Sequence, residues 1–578
     1  MLLPRNLYTA SQVRELEKIA IEDFALSGFS LMQRAGQVTF DSIMKSYPET
    51  QSICVICGTG NNGGDGYVIA MLAANAGLKI SLIQLGDEAS IESDALLAKD
   101  AYLKTGARIL RFSSENKNSL NADIIVDAIF GTGLARNVEG EWAEAITAIN
   151  RIRSRRKSQN KIKIVAVDVP SGLHSDTGTV LGCSVRADKT MTYIGLKCGL
   201  FTGQARNYVG ELEFDDLHIP FEVYKHVTVQ GSKKQLIADN VIQESLKPRS
   251  RCSHKGHFGH VLCIGGAEGM SGAIHLSAEA ALRAGAGLVS VATHPAHADY
   301  LNLQRPEIMV RGIELAEHVL PLIDKASVIV IGPGLGKSKW AHELLSLVLA
   351  SDKLKVLDAD ALNLLAEHHL LHKANSSPKA KLSPVATHIP FDNEQRYDNW
   401  VLTPHPAEAA RLLITRTDLI EQDRYQSVEL LQHQFGGICV LKGAGSLIAD
   451  GKKIRVCRTG NPGMASGGMG DLLTGIIAAL LAQNEPSANK ESSASNEPLA
   501  SKEPLVSKEP LASKEPSAGK EHTVDKESSL GLSLSDAVSL GVFIHGKAAD
   551  LAIQQEGERG LIASDLLPFI RALVNPSE

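Results

Sequence analysis

The chain has 578 residues, with 59 Lys and Arg against 65 Asp and Glu and a formal net charge of −6. Its length favours more than one domain, and its near-neutral charge balance argues against a strongly basic nucleic-acid-binding protein. The longest promising apolar run, Leu472–Ala482, falls short of the roughly 20 residues that a membrane-spanning helix needs. Eight cysteines in so long a chain do not indicate a disulfide framework, so we expect a cytoplasmic location. We therefore expect neither nucleic acid nor membrane as a partner.

Short apolar runs of β-strand composition alternate with helical patterns along most of the chain, which predicts the α/β fold class. The strands predicted in the first half are Ser52–Cys57, Lys79–Leu85, Ile124–Ala128 and Ile162–Val167. Those predicted in the second half are His260–Ile264, Leu288–Ala292, Val328–Ile331, Val356–Leu357, Trp400–Leu402 and Ile438–Leu441. Because these runs are apolar on both faces, we interpret them as buried parallel strands. Cys54 and Cys57 form a CxxC pair, yet three residues apart on a strand they face opposite sides, which argues against a redox motif.

The strand pattern weakens near Thr228–Asp239, which predicts a boundary between two α/β domains of unequal size. We place the first domain at residues 1–230 and the second at 236–578. Within the second, residues 484–531 form eight consecutive hexapeptides rich in Lys, Glu and Pro, without an aromatic residue. Such a tract buries too little apolar surface to fold, so we predict a disordered insert rather than a β-helix. The polar stretch 374–399 is a further candidate for an insertion.

Three polar, glycine-bearing loops follow predicted strands of the first domain. They are Gly58–Gly66, Asp127–Arg136 and Asp168–Gly172. The first matches the spacing GxGxxG of dinucleotide-binding loops, but its NNGGDG segment places amide and carboxylate side chains where that fingerprint uses bare backbone. Because loops that leave the carboxyl ends of parallel strands converge on one crevice, we expect a binding site there. The alternative for Asp127 and Asp168 is that each caps the following helix.

The second domain contains a glycine-rich helix start. Residues 460–474 read GNPGMASGGMGDLLT and lead directly into an apolar helix. Successive backbone N–H groups at such a start can bind an anion, helped by the helix dipole. Asp471 follows immediately, where it could exchange a proton with the bound group. An Asp that only stabilises the helix dipole is the alternative.

Four further loops of the second domain also follow predicted strands or open helices. They are Gly265–Ala273, Gly332–Gly336, Thr403–Glu408 and Lys442–Ser446. The last offers small residues and the Lys442 cation to nucleotide phosphates, although its spacing is not that of a Walker A motif. We favour ligand contact for His405 because it lies on the expected rim of the crevice. For Asp358 and Asp360, in the sequence LDADALN, metal association and helix capping remain open.

The motifs of the first domain resemble the N-terminal domain of the bifunctional NAD(P)H-hydrate repair enzymes. The resemblance runs from LMQRAG at residues 31–36 through NNGGDG and FGTGLAR to DVPSG. It implies a Rossmann-like, three-layer α/β/α domain that interconverts the two epimers of hydrated NADH or NADPH. The substrate-binding residues that it implies are Asn61, Asn62, Gly63, Gly64, Asp65, Gly131, Thr132, Gly133, Leu134, Ala135, Arg136, Asn137 and Asp168. It also implies Asp168 as the catalytic acid/base. A potassium ion would be coordinated by Asn62, Asp127 and Ser171, whose hard oxygen ligands suit an alkali cation.

The motifs of the second domain are similar to the dehydratase domain of the same family, in the order GMSGA, GPGLG, DADALN, LTPHP, LKGAGS and GNPGMASGGMGD. The resemblance implies a ribokinase-like, three-layer α/β/α domain that uses ADP as co-substrate and Mg²⁺ as cofactor. The residues implied to contact the hydrate are Ala273, Gly334, His405 and Asp471, with Asp471 as the catalytic base. Those implied to contact the nucleotide are Lys442, Gly443, Ala444, Gly445, Ser446 and Gly470. Ala267, Ala407 and Ser446 depart from the family's usual Ser, Gly and Thr, but none of these changes removes an implied catalytic group.

Together the two resemblances imply a two-step repair of nicotinamide nucleotides by a homo-oligomer that acts on small molecules. The first domain would epimerise the R- and S-hydrates. The second would dehydrate the S-epimer with ADP, giving NAD(P)H, AMP and phosphate. Two alternatives remain. One is a ribokinase-like small-molecule kinase with an accessory domain, against which the KGAG and HP loops argue. The other is a non-enzymatic scaffold role for the first domain, against which the intact Asp168 and NNGGD loop argue.

Overall fold

The computed structural model describes residues 3–112, 120–155, 162–225, 233–375, 397–484 and 530–576. Apart from a few end residues, the two predicted insertions, at 484–531 and 374–399, lie outside these ranges. In chain order the strands are β1 (Asn6–Tyr8), β2 (Ser52–Cys57), β3 (Lys79–Gln84), β4 (Ile109–Arg111), β5 (Ile124–Ala128), β6 (Lys163–Val167), β7 (Lys189–Tyr193), β8 (Leu196–Lys197), β9 (Glu211–Asp215), β10 (Lys234–Leu236), β11 (His260–Ile264), β12 (Leu288–Thr293), β13 (Met309–Gly312), β14 (Val328–Ile331), β15 (Leu354–Leu357), β16 (Trp400–Leu402), β17 (Ile438–Leu441), β18 (Ser446–Ala449) and β19 (Ile454–Cys457). The α-helices are Ala10–Glu22, Gly28–Ser46, Asn61–Asn75, Ser93–Leu103, Gly140–Arg155, Val241–Ser245, Ser271–Arg283, Leu320–Lys325, Lys339–Ala350, Ala359–Asn375, Pro406–Leu412, Thr417–Gln422, Arg424–Phe435, Met469–Asn484, Leu534–Glu556 and Leu567–Leu573.

The first half of the chain forms a sheet of seven parallel strands in the order β4-β3-β2-β5-β6-β7-β9. Residues of helices Gly28–Ser46 and Asn61–Asn75 share a core with Cys57 on one face of the sheet. Helix Gly140–Arg155 shares a core with Cys54 on the other face. The two cysteines therefore face opposite sides, as predicted. Because the chain leaves β2 for β3 on one side and returns to β5 on the other, a crevice opens between β2 and β5.

The second half builds a larger sheet, of twelve strands, in the order β13-β12-β11-β14-β15-β16-β17-β18-β19-β10-β1-β8. The seven strands from β13 to β17 in this order are parallel. Helices Ser271–Arg283, Met469–Asn484 and Leu534–Glu556 contribute to the core on one face. Helices Lys339–Ala350 and Arg424–Phe435 contribute to the core on the other. Both halves are therefore α/β, with a central sheet between two layers of helices.

Every predicted strand is present, with ends that differ by at most two residues. The runs were recognisable because they are buried on both faces, so that apolar residues are continuous rather than alternating. Among the described helices, none combines the length and the apolar character needed to cross a bilayer.

The second sheet also includes three short strands from the first 236 residues. Strand β10 pairs with β19, β1 pairs with β10, and β8 pairs with β1. The segment predicted as the first domain thus shares hydrogen bonds and a hydrophobic core with the second half. The sequence pattern did not indicate these strands, because two or three residues are too few to show periodicity.

Candidate functional site

The loops at the carboxyl ends of the first sheet enclose a cavity of about 770 Å³. The predicted residues that line it are Asn61, Asn62, Asp65, Gly131, Thr132, Gly133, Leu134, Ala135, Arg136 and Asp168. Gly63 and Gly64 lie behind the cavity wall, since a Cβ on Gly63 would lie 2.1 Å from the carbonyl oxygen of Gly58. Asn137 is likewise not among the lining residues. Three loops distant in sequence thus meet at one site, because parallel strands end at the same edge of the sheet.

Asp168 follows the last residue of β6 with a left-handed φ of 65°. Such a backbone conformation costs a non-glycine residue roughly 1–2 kcal/mol and is found where tertiary structure demands it. Its N–H donates to the carbonyl of Met191 at 2.7 Å. Its carboxylate accepts a hydrogen bond from Thr192 Oγ1 at 3.2 Å and forms an ion pair with Lys197. The carboxylate is therefore held in a single orientation on the cavity wall.

Lys197 is a residue of this cavity that sequence reasoning missed. Its side chain is 2% exposed. Besides the ion pair, its ammonium donates to the carbonyl of Tyr193 at 2.8 Å and to Thr192 Oγ1 at 3.1 Å. A buried lysine must be paired to be tolerated. A lone cation in the otherwise apolar run 193–201 was the signal that could have indicated it.

Two more carboxyl groups, those of Asp65 and Glu17, line the same cavity. Burial first, and then the negative charges of Asp168 and Glu17, raise the pKa of Asp65 well above its usual value. Burial also raises the pKa of Glu17. Asp65 therefore carries a proton over a wider pH range than an exposed Asp. A protonated carboxyl can donate a hydrogen bond to a bound ligand.

Asn62, Asp127 and Ser171 are buried polar residues that border the loop at residues 130–131. The Phe130 N–H donates to Ser171 Oγ at 2.8 Å, and a Cβ on Gly131 would lie 3.3 Å from Cβ of Asn62. Ser171 Oγ donates to Asp127 Oδ1 at 2.6 Å, and the Ser171 N–H donates to Asp127 Oδ2 at 2.8 Å. Burial raises the pKa of Asp127 to about 6, although these hydrogen bonds oppose the shift. Within the described part of the chain, neither polar atom of the Asn62 amide has a hydrogen-bond partner. Buried polar groups without a partner are rare and indicate a missing ligand or ion.

The second candidate site lies at the carboxyl ends of strands β15 and β17 and at the start of helix Met469–Asn484. Lys442 Nζ lies 2.5 Å from Asp358 Oδ1 and 3.8 Å from Glu408 Oε2. A Cβ on Gly470 would lie 3.3 Å from both Lys442 Nζ and Asp358 Oδ2. The helix start therefore lies directly against this ion pair. The first N–H groups of a helix have no intrahelical acceptor and remain available to an anion.

The pKa values in this cluster are shifted by burial and by mutual charge. Burial, reinforced by the negative charge of Asp358, raises the pKa of Asp471 to about 7. Burial likewise raises the pKa of Glu408 to about 7. Burial alone would lower the pKa of Lys442, but the charges of Asp358 and Glu408 outweigh it, so that its pKa is raised. Asp471 thus titrates near neutrality, the range in which a general base works best.

Of the other predicted residues of the second site, Ala273 lies in the first turn of helix Ser271–Arg283, whereas Gly334 and His405 lie in neighbouring loops. A Cβ on Gly334 would lie 3.3 Å from Cβ of Ala273, so these two residues are adjacent. Ser277, on the same helix as Ala273, donates to the carbonyl of Asp471 at 2.7 Å. His405 is exposed, and its Nε2 lies 3.4 Å from Glu408 Oε1.

The loop at residues 442–446, which the resemblance implies to contact the nucleotide and which we therefore call the nucleotide loop, connects β17 to β18. Gly443 and Ala444 are exposed, while Gly445 is buried. Ser446 Oγ donates to the carbonyl of Gly443 at 3.2 Å, across the loop. The Lys442 ammonium is held by carboxylates at the base of the loop rather than extended into solvent.

Sequence reasoning missed that Asp358 and Glu408 both form ion pairs with Lys442. Both carboxylates are buried and face Lys442. The neighbouring Asp360 accepts a hydrogen bond from the Gly336 N–H at 2.9 Å. Among the described residues, no cluster of three or more His, Cys, Asp or Glu could hold a metal ion by itself. The adjacent acidic residues in LDADALN could have indicated a cluster, but not its cation, which is 84 residues away.

Comparison with known proteins gives matches over both halves. Residues 28–199 match the family model described as YjeF-related protein N-terminus, and residues 261–511 match that described as NAD(P)H-hydrate dehydratase. The chain is 40% identical over 571 residues to the bifunctional NAD(P)H-hydrate repair enzyme of Coxiella burnetii, covering 99% of each chain. It is 38% identical over 577 residues to the protein of that name from Vibrio cholerae, covering 100% of this chain and 99% of the relative. A solved ADP/ATP-dependent NAD(P)H-hydrate dehydratase from Bacillus subtilis, co-crystallised with ATP and Mg²⁺, is 22% identical with a TM-score of 0.41, covering 57% of this chain and 94% of that one.

The relatives match end to end, so the similarity is not limited to one domain or one motif. Both sets of strand-end loops lie within the matched regions. The chain belongs to the family of bifunctional NAD(P)H-hydrate repair enzymes.

Proposed function

We propose that this protein repairs hydrated NADH and NADPH in two steps, one in each α/β domain. The first domain, residues 1–230, interconverts the R- and S-hydrates. The second, residues 236–578, converts the S-hydrate to NAD(P)H with ADP, releasing AMP and phosphate. The observation that carries the proposal is the end-to-end match to the repair enzymes. The same match favours this function over a small-molecule kinase.

In the first domain, we assign Asp168 as the catalytic acid/base. Its carboxylate lines a cavity and is oriented by Lys197 and Thr192. It can accept a proton from the hydrated ring or donate one to it during epimerisation. The other lining residues, which belong to the start of helix Asn61–Asn75 and to the loop 131–137, surround the substrate. Their intact arrangement argues against a purely scaffolding domain.

The cluster of Asn62, Asp127 and Ser171 fits a potassium ion. Each residue offers a hard oxygen, and the Asn62 amide is buried without a partner in the described structure. A bound K⁺ would supply a fixed positive charge next to the substrate cavity. The Asp127 carboxylate is already oriented by the two hydrogen bonds that it accepts from Ser171.

In the second domain, we assign Asp471 as the catalytic base. It takes the proton of the hydrate's hydroxyl group, and that oxygen attacks the β-phosphorus of ADP, so that AMP leaves. The phosphate ester then leaves the ring as inorganic phosphate, and loss of a ring proton restores the double bond of the nicotinamide. The glycine-rich start of helix Met469–Asn484 stabilises negative charge on the phosphoryl group during transfer.

Ala273, Gly334 and His405 surround the hydrate in this proposal, while Gly470 and the nucleotide loop bind ADP. A magnesium ion would neutralise charge on the phosphates. Mg²⁺ usually binds through substrate phosphates with one or two carboxylates, and the carboxylate of Asp358 lies against the helix start. We also propose that the protein is a homo-oligomer, which sedimentation can test. Its proposed cytoplasmic location can be tested by cell fractionation.

The deciding experiment incubates the purified protein with mixed hydrate epimers and ADP and follows recovery of the nicotinamide absorbance. We expect the wild type to repair both epimers. Asp471→Ala should abolish repair of both, while Asp168→Ala should repair the S-epimer alone. A wild-type protein that accumulates a stable phosphorylated product would favour the kinase alternative. Recovery of both epimers at the wild-type rate by Asp471→Ala would refute the assigned mechanism.

A further inference from the structure

The nucleotide loop of the second domain lies against a segment of the first half of the chain. Residues 198–207 of that segment form two 3₁₀ turns after Lys197. The Gly203 N–H donates to the carbonyl of Ala444 at 2.9 Å. Thr202 Oγ1 donates to the carbonyl of Gly445 at 2.9 Å. Two successive carbonyls of the nucleotide loop are therefore bound by groups that the second domain does not supply.

The shape of the loop matches this contact. Gly445 has a left-handed φ of 71°, and a Cβ there would lie 2.0 Å from the carbonyl oxygen of Phe201. Only glycine allows the two backbones to approach so closely. Because the centre of the loop, residues 443–445, is Gly-Ala-Gly, its side chains restrict the loop's conformation little. The conformation of the loop therefore depends on the segment 198–207, against which it packs.

Arg424 completes the contact from the second domain. Its guanidinium is buried, with 1% of the side chain exposed. Nε donates to Thr202 Oγ1 at 3.0 Å, and Nη2 donates to the carbonyl of Lys442 at 3.1 Å. One cation thus binds both the loop and the hydroxyl group that holds the loop. Tyr425 adds a hydrogen bond from its hydroxyl group to the carbonyl of Cys198, at 2.8 Å.

We infer that Thr202 and Arg424 are positioning residues for the dehydration step, which hold the nucleotide loop in the conformation that binds ADP. The inference rests on the proposed function. Gly443 and Ala444 are exposed at the tip of the loop, where their backbone can meet a ligand. Ordering a flexible loop costs binding free energy, and a loop held in advance avoids that cost. The epimerase half therefore contributes to nucleotide affinity in the other half.

The inference predicts that Thr202→Val weakens ADP binding without impairing chemistry. Valine preserves the shape of threonine but can neither donate to Gly445 nor accept from Arg424. Because the released loop must then be ordered when ADP binds, we expect the KM for ADP to rise about tenfold. The kcat for the S-hydrate and the epimerisation rate should stay near wild-type values. Thr202→Ser, which restores the hydroxyl group, should restore the KM.

The matched control is Thr190→Val. Thr190 is also buried in the first half, and its hydroxyl group donates to the carbonyl of Val209 at 2.6 Å, away from the nucleotide loop. This variant should keep the wild-type KM for ADP. ADP-induced stabilisation against thermal unfolding provides a second readout, and it should weaken only in Thr202→Val.

Arg424→Met should likewise raise the KM for ADP. It tests the inference if Thr202→Val does not fold. Wild-type KM for ADP and wild-type ADP-induced stabilisation in the folded variant would overturn the inference. That outcome would leave the proposed function intact. A wild-type protein without ADP-dependent repair would instead refute the proposed function itself.

Discussion

Lowering the pH should switch off dehydration in a range where an ordinary aspartate would remain ionised. The pKa of Asp471 is raised from 3.8 to about 7, first by burial and then by the negative charge of Asp358. A general base works only when ionised, so its ionised fraction falls from about one half at pH 7 to about one tenth at pH 6. We therefore expect kcat/KM for the S-hydrate, which reports the free enzyme, to fall roughly fivefold over that interval and about tenfold for each further unit.

The assay measures the initial rate of nicotinamide absorbance recovery with S-hydrate and ADP well below their KM values, from about pH 8 to about pH 5. Direct measurement of ADP affinity over the same range separates titration of the nucleotide from titration of the enzyme. Glu408 is the matched control, because its pKa is also raised to about 7. Glu408→Gln should retain the acid limb and move it to lower pH, since a neighbouring negative charge is lost. A constant kcat/KM down to about pH 5 would refute the reasoning, because it would require a base with an ordinary pKa in the free enzyme.

Two further predictions concern the first domain. Lys197→Met should slow epimerisation by about 10- to 100-fold, because Asp168 loses the ion pair that orients it, while the dehydration rate stays unchanged. Lys99→Met, which removes an ion pair with Glu88 away from the cavity, is its control, and an equal loss in both variants would contradict the assignment. Asn62→Leu should stabilise the K⁺-free protein by about 1–3 kcal/mol, since it replaces buried polar atoms without partners by an apolar group of similar shape. Thermal unfolding should show that K⁺ stabilises the wild type but not this variant; equal stabilisation of both would exclude Asn62 as a ligand.

Much of the candidate chemistry could be predicted from sequence because of how parallel sheets are built. Asp127, Asp168 and Asp471 each lie at a strand end or a helix start, where the pattern of apolar runs and glycines predicted them. Loops at the carboxyl ends of parallel strands must converge, so residues far apart in sequence could be expected at one site. The convergence of strand ends predicted the loops but not every lining residue. The resemblance added Gly63 and Gly64, which are not among the residues that line the cavity.

The residues that sequence reasoning missed are those that form ion pairs with residues on other loops. Lys197 and Glu408 have no motif of their own, and each acquires its role from a charge on another loop. The pKa of Asp471 likewise depends on burial and on Asp358, neither of which is visible in its local sequence. Such pairs form only when the fold removes the groups from water, where an unpaired charge would be costly.

The amino-acid sequence by itself determined the class of the fold, the succession of buried strands and the glycine-rich loops at their ends. These are local properties, set by apolar periodicity and by backbone preferences. Only the tertiary structure decided that β1, β8 and β10 extend the second sheet, and that Thr202 holds a loop 243 residues away. Contacts at such separations depend on how whole elements pack. The interdependence of the two halves is therefore a property of the folded chain, not of any motif within it.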